Sequence, residues 1–274
     1  MIKHTSKNQT KYWTYGKSNL PTIIMIHGFR GTHHGLDLIA RKLTGYHIIV
    51  PDVPGFGETA PLNSEHNLEN YVSWLHSFIK DLKLKESPIL LGHSFGSIIA
   101  GGYVAKHPKT ISKLILVNPV GSHGIKGLMD ILTKITFGYY WVSNRLPATL
   151  AKKALSSKFV ILVMTAAMTK TKDKQLRKFV YDQHYRYFNK FSNPKSVSEG
   201  FTTSSKNSVR ESAIHISIPT LLIAGAKDNI TSVDKQRELV ALFPNASLEV
   251  IENVGHLTHY ETPDEVANFI KKFI

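Results

Sequence analysis

The chain contains no cysteine, and this absence excludes several classes of protein at once. It cannot be a disulfide-stapled scaffold, hold zinc or an iron–sulfur cluster through thiolates, or use a cysteine nucleophile. Long apolar runs are absent as well, because the longest, residues 159–168, is far too short to span a bilayer. Residues 1–10 are polar and show no secretory signal, so we expect a cytoplasmic protein.

Patterns that bind phosphate or metal are missing too. The sequence has neither a Walker nor a Rossmann glycine pattern, and it has no His-Glu-x-x-His motif. The neighbouring His33 and His34 do not have the spacing of metal ligands. We therefore expect a protein that needs neither a metal ion nor an organic cofactor.

Negative charge is scarce, with 34 Lys+Arg against 20 Asp+Glu and a net charge of +14. Most of the excess lies in residues 121–212, which hold 16 basic and five acidic residues. Such a region could face nucleic acid or an anionic membrane. No nucleic-acid-binding motif accompanies it, so we expect no nucleic acid partner and only a weak contact with anionic membrane surfaces.

The 274 residues do contain a regular alternation of strand and helix patterns. The apolar runs that predict strands are 23–26, 47–50, 89–91, 114–117, 220–224 and 248–251. They are almost wholly apolar, as strands covered on both faces should be. Helices are predicted at 68–82, 97–106 and 263–273. This order indicates an α/β fold, in which a mostly parallel sheet is flanked by helices and binds its ligand at the carboxyl ends of the strands.

One long interruption breaks the alternation. Residues 121–212 have helical patterns and no predicted strand, and they are too many for a loop. We predict that 121–212 form a helical cap, or lid, inserted into a core of residues 1–120 and 213–274. Residues 1–10 and the serine-rich 192–212 are predicted to be loose. We expect the apolar residues of the cap to pack on the core or line an acyl pocket; they include Phe137, Tyr139, Tyr140, Trp141, Phe159, Ile161, Leu162, Val163, Met164 and Met168.

The sequence Gly92-His93-Ser94-Phe95-Gly96 joins a predicted strand to a predicted helix. A sharp turn at this place needs glycine on both sides of the serine, because its backbone is strained and a nearby Cβ would clash. Such a turn lifts the serine hydroxyl above the edge of the sheet. Ser94 is therefore the candidate nucleophile.

A serine hydroxyl needs a base, and the base needs an acid that orients it. His256 follows the last predicted strand and is the candidate base. Asp228 follows the strand before it and is the candidate acid, whereas Asp234, expected inside the next helix, is the weaker choice. Asn118 ends another strand at the same edge but cannot ionise, so it does not compete for the role of acid.

On these motifs the sequence resembles the α/β-hydrolase superfamily. The resemblance implies a catalytic triad of Ser94, His256 and Asp228, and an oxyanion hole made by the backbone N–H groups of Phe29 and Phe95. Many relatives carry an uncharged residue where this chain has Arg30, which we expect to alter the mouth of the site. The segments that carry the resemblance are Met25-Ile26-His27-Gly28-Phe29-Arg30-Gly31, Pro51-Asp52-Val53-Pro54-Gly55-Phe56-Gly57, the Ser94 turn, Gly225-Ala226-Lys227-Asp228 and Gly255-His256.

A serine at the turn, where some relatives have an aspartate, makes acyl transfer the natural chemistry. We expect an esterase, a lipase-like enzyme or a lactonase that acts on short- to medium-chain esters or lactones. Two alternatives stay open: hydrolysis of a carbon–carbon bond next to a ketone, and a receptor that binds a ligand without catalysis. The loop at residues 27–35 lacks the glycine-rich pattern of the carbon–carbon hydrolases, which disfavours the first.

Overall fold

A computed structural model of the chain describes residues 1–122 and 128–274. Eight strands form one sheet in the order β1-β2-β4-β3-β5-β6-β7-β8. Strands β3 to β8 are parallel to one another. Strand β2 pairs in antiparallel fashion with β4 on one side and with β1 on the other. The predicted α/β fold with a mostly parallel sheet is thus confirmed. The strands are β1 (Ile2–Thr5), β2 (Lys11–Tyr15), β3 (Thr22–Ile26), β4 (His47–Pro51), β5 (Ile89–His93), β6 (Lys113–Val117), β7 (Thr220–Gly225) and β8 (Ala246–Ile251).

Helices lie along the chain between and after these strands, and two of the predicted ones have the predicted bounds. The helices are α1 (Asp37–Lys42), α2 (Leu68–Leu82), α3 (Phe95–Lys106), α4 (Leu128–Ser143), α5 (Ala148–Leu155), α6 (Lys158–Met168), α7 (Lys174–Tyr187), α8 (Pro194–Lys206), α9 (Arg210–Ala213), α10 (Val233–Val240), α11 (Thr258–Glu261) and α12 (Pro263–Phe273). Asp234 lies within α10, as predicted.

Both faces of the sheet are covered, because alternate residues of each strand point to opposite sides. In β3, Ile24 packs in a core with α2 and α3, whereas Ile23 and Met25 pack in a second core with α1 and α12. This two-sided burial explains why the strands read as unbroken apolar runs. It also leaves the carboxyl ends of the strands, rather than either face of the sheet, as the place where a ligand can bind.

The prediction that residues 1–10 are loose is wrong. β1 pairs with β2 in an antiparallel register from Ile2 opposite Thr14 to Thr5 opposite Lys11. The side chains of β1 are mostly exposed, so the strand carries no apolar pattern. Backbone pairing with β2 at the edge of the sheet holds it, and that pairing leaves little trace in the sequence.

The chain between β6 and β7 forms a helical segment, α4 to α9, and the prediction that residues 192–212 are loose is also wrong. Within that range α8 begins with Pro194 in its first turn, and the Asn193 side chain accepts a hydrogen bond from the Ser196 amide at 2.8 Å. These start signals outweigh the low helix propensity of the serines. Residues 123–127 of the predicted cap lie outside the described residues.

The apolar residues predicted to be covered in the helical segment differ in exposure, and four of them are half-buried: Phe137, Tyr139, Met164 and Met168. Tyr140 and Ile161 are buried, as expected. The prediction is wrong for four others, which are exposed: Trp141, Phe159, Leu162 and Val163. An apolar pattern on two sides of a helix predicts burial of both, but the core covers one side only.

Over the described parts of the chain, no helix has both the length and the apolar character needed to cross a bilayer.

Candidate active site

Ser94 stands in the sharp turn between β5 and α3, with φ 51° and ψ −118°. A non-glycine residue rarely adopts this conformation, and its persistence needs strong support from its surroundings. The support is close packing: a Cβ on Gly92 would lie 2.4 Å from the Gly96 carbonyl oxygen, and one on Gly96 would lie 2.2 Å from the Ile26 carbonyl oxygen. Glycine is therefore required at both positions, and Ser94 is held at the carboxyl end of β5.

The structure brings Ser94, His256 and Asp228 together in one chain of hydrogen bonds. His256 Nε2 lies 2.8 Å from Ser94 Oγ, and His256 Nδ1 lies 2.7 Å from Asp228 Oδ2. A carboxylate can only accept, so the Nδ1–H donates to Asp228 and leaves the Nε2 lone pair directed at the serine hydroxyl. The imidazole is thus oriented to take the hydroxyl proton. Asp234, the weaker candidate acid, lies instead on the surface, where it pairs with Arg237.

Backbone and side-chain donors keep the Asp228 carboxylate charged. The amides of Ile230 and Thr231 donate to Oδ1 at 2.7 and 3.1 Å. The Thr231 hydroxyl and Asn118 Nδ2 donate to Oδ2 at 2.9 and 3.0 Å. Burial opposes ionisation, but the charge of His256 and these hydrogen bonds lower the pKa of Asp228 to about 2. The group is therefore a fixed anion beside the imidazole.

Asn118 is the site residue that the sequence reasoning missed. It directly follows β6 and has a φ of 46°, and its side chain joins Asp228 to α11 because its oxygen also accepts from the Thr258 hydroxyl. Because it cannot ionise, the sequence does not mark it as a candidate acid. Its place at the carboxyl end of a core strand was the available signal, since an amide there can donate to a neighbouring carboxylate.

Two further histidines lie behind His256 and are buried. The His93 ring is 5.6 Å from that of His256 and 4.1 Å from that of His259. Burial and the nearby His256 lower the pKa of His93 to about 3, and burial lowers the pKa of His259 well below its usual value. Both rings therefore stay neutral and place no second positive charge beside His256.

The two backbone amides expected to form an oxyanion hole belong to Phe95, which follows Ser94 in the chain, and to Phe29, which follows Gly28. Phe95 is the first residue of α3, where amides lack partners within the helix. A Cβ on Gly28 would lie 3.3 Å from Ser94 Cβ, so the backbone at Gly28, the residue before Phe29, passes next to the serine. A Cβ at position 28 would also lie 3.1 Å from His93 Nδ1, so a larger residue there would crowd both side chains.

Aromatic side chains of the helical segment surround the Phe29 ring. Tyr140 of α4 and Phe201 of α8 approach it, with ring centroids at 5.9 and 5.8 Å. Phe56 and Phe95 of the core contact it from the other side, at 5.7 and 6.4 Å. The residue beside the serine is therefore part of an apolar contact between the helical segment and the sheet.

The prediction that Arg30 alters the mouth of the site is wrong. Its side chain is buried, with 1% of its surface exposed. Its Nη2 donates to the carbonyl oxygens of Leu155 and Phe188 at 2.8 and 3.0 Å, and its Nε donates to Phe188 at 3.2 Å. These carbonyls are at the C-terminal ends of α5 and α7, where helices lack internal donors and attract cations. The guanidinium thus fastens two helices to the loop that contains Phe29.

The described residues contain no group of three or more histidine, aspartate or glutamate side chains that could hold a metal ion. A serine, an imidazole and a buried carboxylate in this arrangement can perform nucleophilic acyl transfer.

Comparison with known proteins agrees with this fold. Residues 21–263 match the α/β hydrolase fold family, and the chain belongs to it. It is 28% identical over 262 residues to Lipase 1 of Psychrobacter immobilis, an alignment that covers 92% of this chain and 76% of that lipase. It is 25% identical over 264 residues to monoacylglycerol lipase ABHD6 of Homo sapiens, covering 93% and 75% of the two chains. Among solved structures, the enol-lactonase from Burkholderia xenovorans LB400 has a TM-score of 0.82 at 15% identity over 99% of each chain, a likeness that shows the fold.

Proposed function

We propose that this protein hydrolyses carboxylic esters with a triad of Ser94, His256 and Asp228. One observation carries the proposal: the unbroken path of hydrogen bonds from the Ser94 hydroxyl through His256 to Asp228, with distances of 2.8 and 2.7 Å. The similarity to lipases that act through the same fold supports ester hydrolysis as the reaction class. A receptor would have no physical need for a charged, fully bonded carboxylate behind a histidine.

In the proposed first step, Ser94 Oγ attacks the ester carbonyl carbon and its proton passes to His256 Nε2. The carbonyl oxygen becomes negative and accepts hydrogen bonds from the backbone N–H groups of Phe29 and Phe95. Asp228 keeps its charge and stabilises the imidazolium, which then gives the proton to the leaving alkoxide. A water molecule then gives a proton to His256 and attacks the acyl carbon. The resulting tetrahedral intermediate releases the carboxylic acid as His256 returns that proton to Ser94 Oγ.

We further propose that residues 121–212 act as a cap over Ser94. Two contacts support this: the rings of Tyr140 and Phe201 around Phe29, and the backbone of Met168, whose carbonyl oxygen would lie 2.8 Å from a Cβ on Gly255, next to His256. The cap thus touches both the serine side and the histidine side of the site. Walls of this kind favour uncharged acyl chains, so the proposed substrates are short- to medium-chain esters or lactones.

The test is a panel of p-nitrophenyl esters of graded chain length, assayed beside monoacylglycerols, lactones and a diketone that reports carbon–carbon cleavage. We expect turnover of esters or lactones, and a loss of kcat on the order of 10³-fold or more for Ser94→Ala. Ser77→Ala, at an exposed serine of α2, is the matched control and should retain full activity. Turnover of the diketone alone, or ester turnover that survives Ser94→Ala, would contradict the proposal.

A further inference from the structure

Helix α6 carries an apolar stripe that nothing in the described chain covers. Phe159, Leu162 and Val163 are 74%, 49% and 52% exposed, and their spacing places them on one side of the helix. The opposite side, with Ile161 and Thr165, is buried. An isolated exposed leucine needs no explanation, but a row of large apolar side chains on a single helix face marks a contact surface.

The stripe belongs to a longer stretch of the chain that is rich in exposed apolar side chains. Ten of the thirteen large hydrophobic side chains that are exposed among the described residues lie between positions 135 and 185. Between residues 141 and 150, the most exposed of these side chains are Trp141, at 56%, and Leu150, at 53%. We call the exposed side chains of residues 141–163 the basic apolar surface.

The charges of this surface are all of one sign. Residues 131–172 contain seven lysines and arginines and no aspartate or glutamate. Lys152, Lys153 and Lys158 are exposed, and the Arg145 guanidinium lies 3.7 Å from the centre of the Trp141 ring. In the described part of the chain, none of these four cations forms an ion pair with a carboxylate. The surface therefore has both apolar side chains and uncompensated positive charge.

This combination decides between the possible occupants. A second copy of the chain would bring the same positive charges face to face, which disfavours self-association. A lipid surface with anionic head groups offers the complement to both features, since lysines are attracted to its charge and apolar side chains enter the boundary of the acyl chains. Tryptophan is also typical of this boundary.

We propose that the basic apolar surface docks the protein on an anionic lipid membrane. Docking uses α5 and α6, and the same helices contact the catalytic core on their other side. The last residue of α5, Leu155, accepts the Arg30 hydrogen bond, and Met168 at the end of α6 lies against Gly255. A lipid surface bound there would contact helices of the proposed cap directly. The binding itself does not depend on Ser94 chemistry.

The test is co-sedimentation with vesicles of phosphatidylcholine, with and without phosphatidylglycerol, using the full chain carrying Ser94→Ala so that no lipid is hydrolysed. We expect anionic vesicles to bind at least several-fold more tightly, and physiological salt to weaken that binding. Lys152→Glu/Lys153→Glu should weaken it on the order of 10-fold or more. The control Lys271→Glu/Lys272→Glu, which makes the same change of charge on α12, should have a much smaller effect.

A second variant tests the apolar stripe. Phe159→Ser/Leu162→Ser should reduce vesicle binding by a similar factor, whereas Ile214→Ser, at a residue that is 58% exposed outside the surface, should not. All these positions are exposed, so the thermal unfolding temperature should change little. Any one of three results would overturn the proposal. They are equal binding to neutral and anionic vesicles, binding unchanged by both surface variants, and a dimer of the unmodified chain that Phe159→Ser/Leu162→Ser dissociates. Hydrolysis of soluble esters, assayed separately, tests the proposed function alone.

Discussion

Replacing Asp228 by asparagine tests how the site sets the tautomer of His256. The carboxylate accepts hydrogen bonds from two backbone amides on Oδ1 and from Thr231, Asn118 and His256 on Oδ2. An asparagine has only one oxygen, so its NH₂ group must face one of these two sets of donors. Backbone amides cannot become acceptors, whereas His256 can. The NH₂ group should therefore take the position of Oδ2.

This placement reverses the imidazole. With an NH₂ group opposite Nδ1, His256 accepts there and carries its proton on Nε2, directed at Ser94. A protonated Nε2 cannot take the serine proton, so we expect kcat to fall on the order of 10³- to 10⁴-fold. The NH₂ group would also face Asn118 Nδ2, two donors in contact, which should lower the free energy of unfolding by about 1–3 kcal/mol.

The assay is kcat/KM for the best soluble ester, measured beside urea denaturation for the unmodified protein and each variant. Asp234→Asn is the matched control because Asp234 is exposed and pairs with Arg237 on α10. It should leave both kcat/KM and stability close to those of the unmodified protein. If Asp228→Asn retained activity within about tenfold, or if Asp234→Asn abolished it, the assignment of the acid would be refuted.

Three other changes should follow from the structure. Arg30→Met removes the donors to the C-terminal carbonyls of α5 and α7; it should lower the free energy of unfolding by about 3 kcal/mol in urea denaturation, with partial recovery in Arg30→Lys. Gly96→Ala places a Cβ 2.2 Å from a backbone oxygen and should cost at least ~2 kcal/mol by the same measurement. Burial lowers the pKa of His93 and of His184 from the ordinary histidine value of 6.5 to about 3. Between these two pH values, the two histidines bind more protons in the unfolded chain than in the folded one. The thermal unfolding temperature should therefore fall as pH drops below about 6.5, and less steeply in His184→Gln.

The core strands could be predicted because most of them are nearly unbroken apolar runs, and α2 and α12 could be predicted because each has one apolar face. β3 to β7 are almost wholly apolar since both faces of the sheet are covered there, whereas β8, at the edge of the sheet, also carries Ser247 and Glu249. β1 could not be predicted, because an edge strand with exposed polar side chains is held by its backbone alone. In α8 the serines hid a helix whose start is fixed by Asn193 and Pro194.

For the site, the sequence predicted which residues lie at the carboxyl edge but not what holds them. Ser94, Asp228 and His256 each follow a strand, and the structure places them within hydrogen-bonding distance. The partner Asn118 and the burial of Arg30 depend on contacts between distant parts of the chain. Arg30 binds carbonyls more than a hundred residues away, and no local pattern records such a contact.

Labelling with a fluorophosphonate probe tests the central claim most directly, since the probe forms a covalent bond with a serine that a neighbouring base activates. We expect intact-mass and peptide analysis of the folded protein to find one label, on Ser94. Ser94→Ala and His256→Ala should block the labelling, and Asp234→Asn should not affect it. A folded protein that takes up no label, or a label on another serine that persists in Ser94→Ala, would contradict the account.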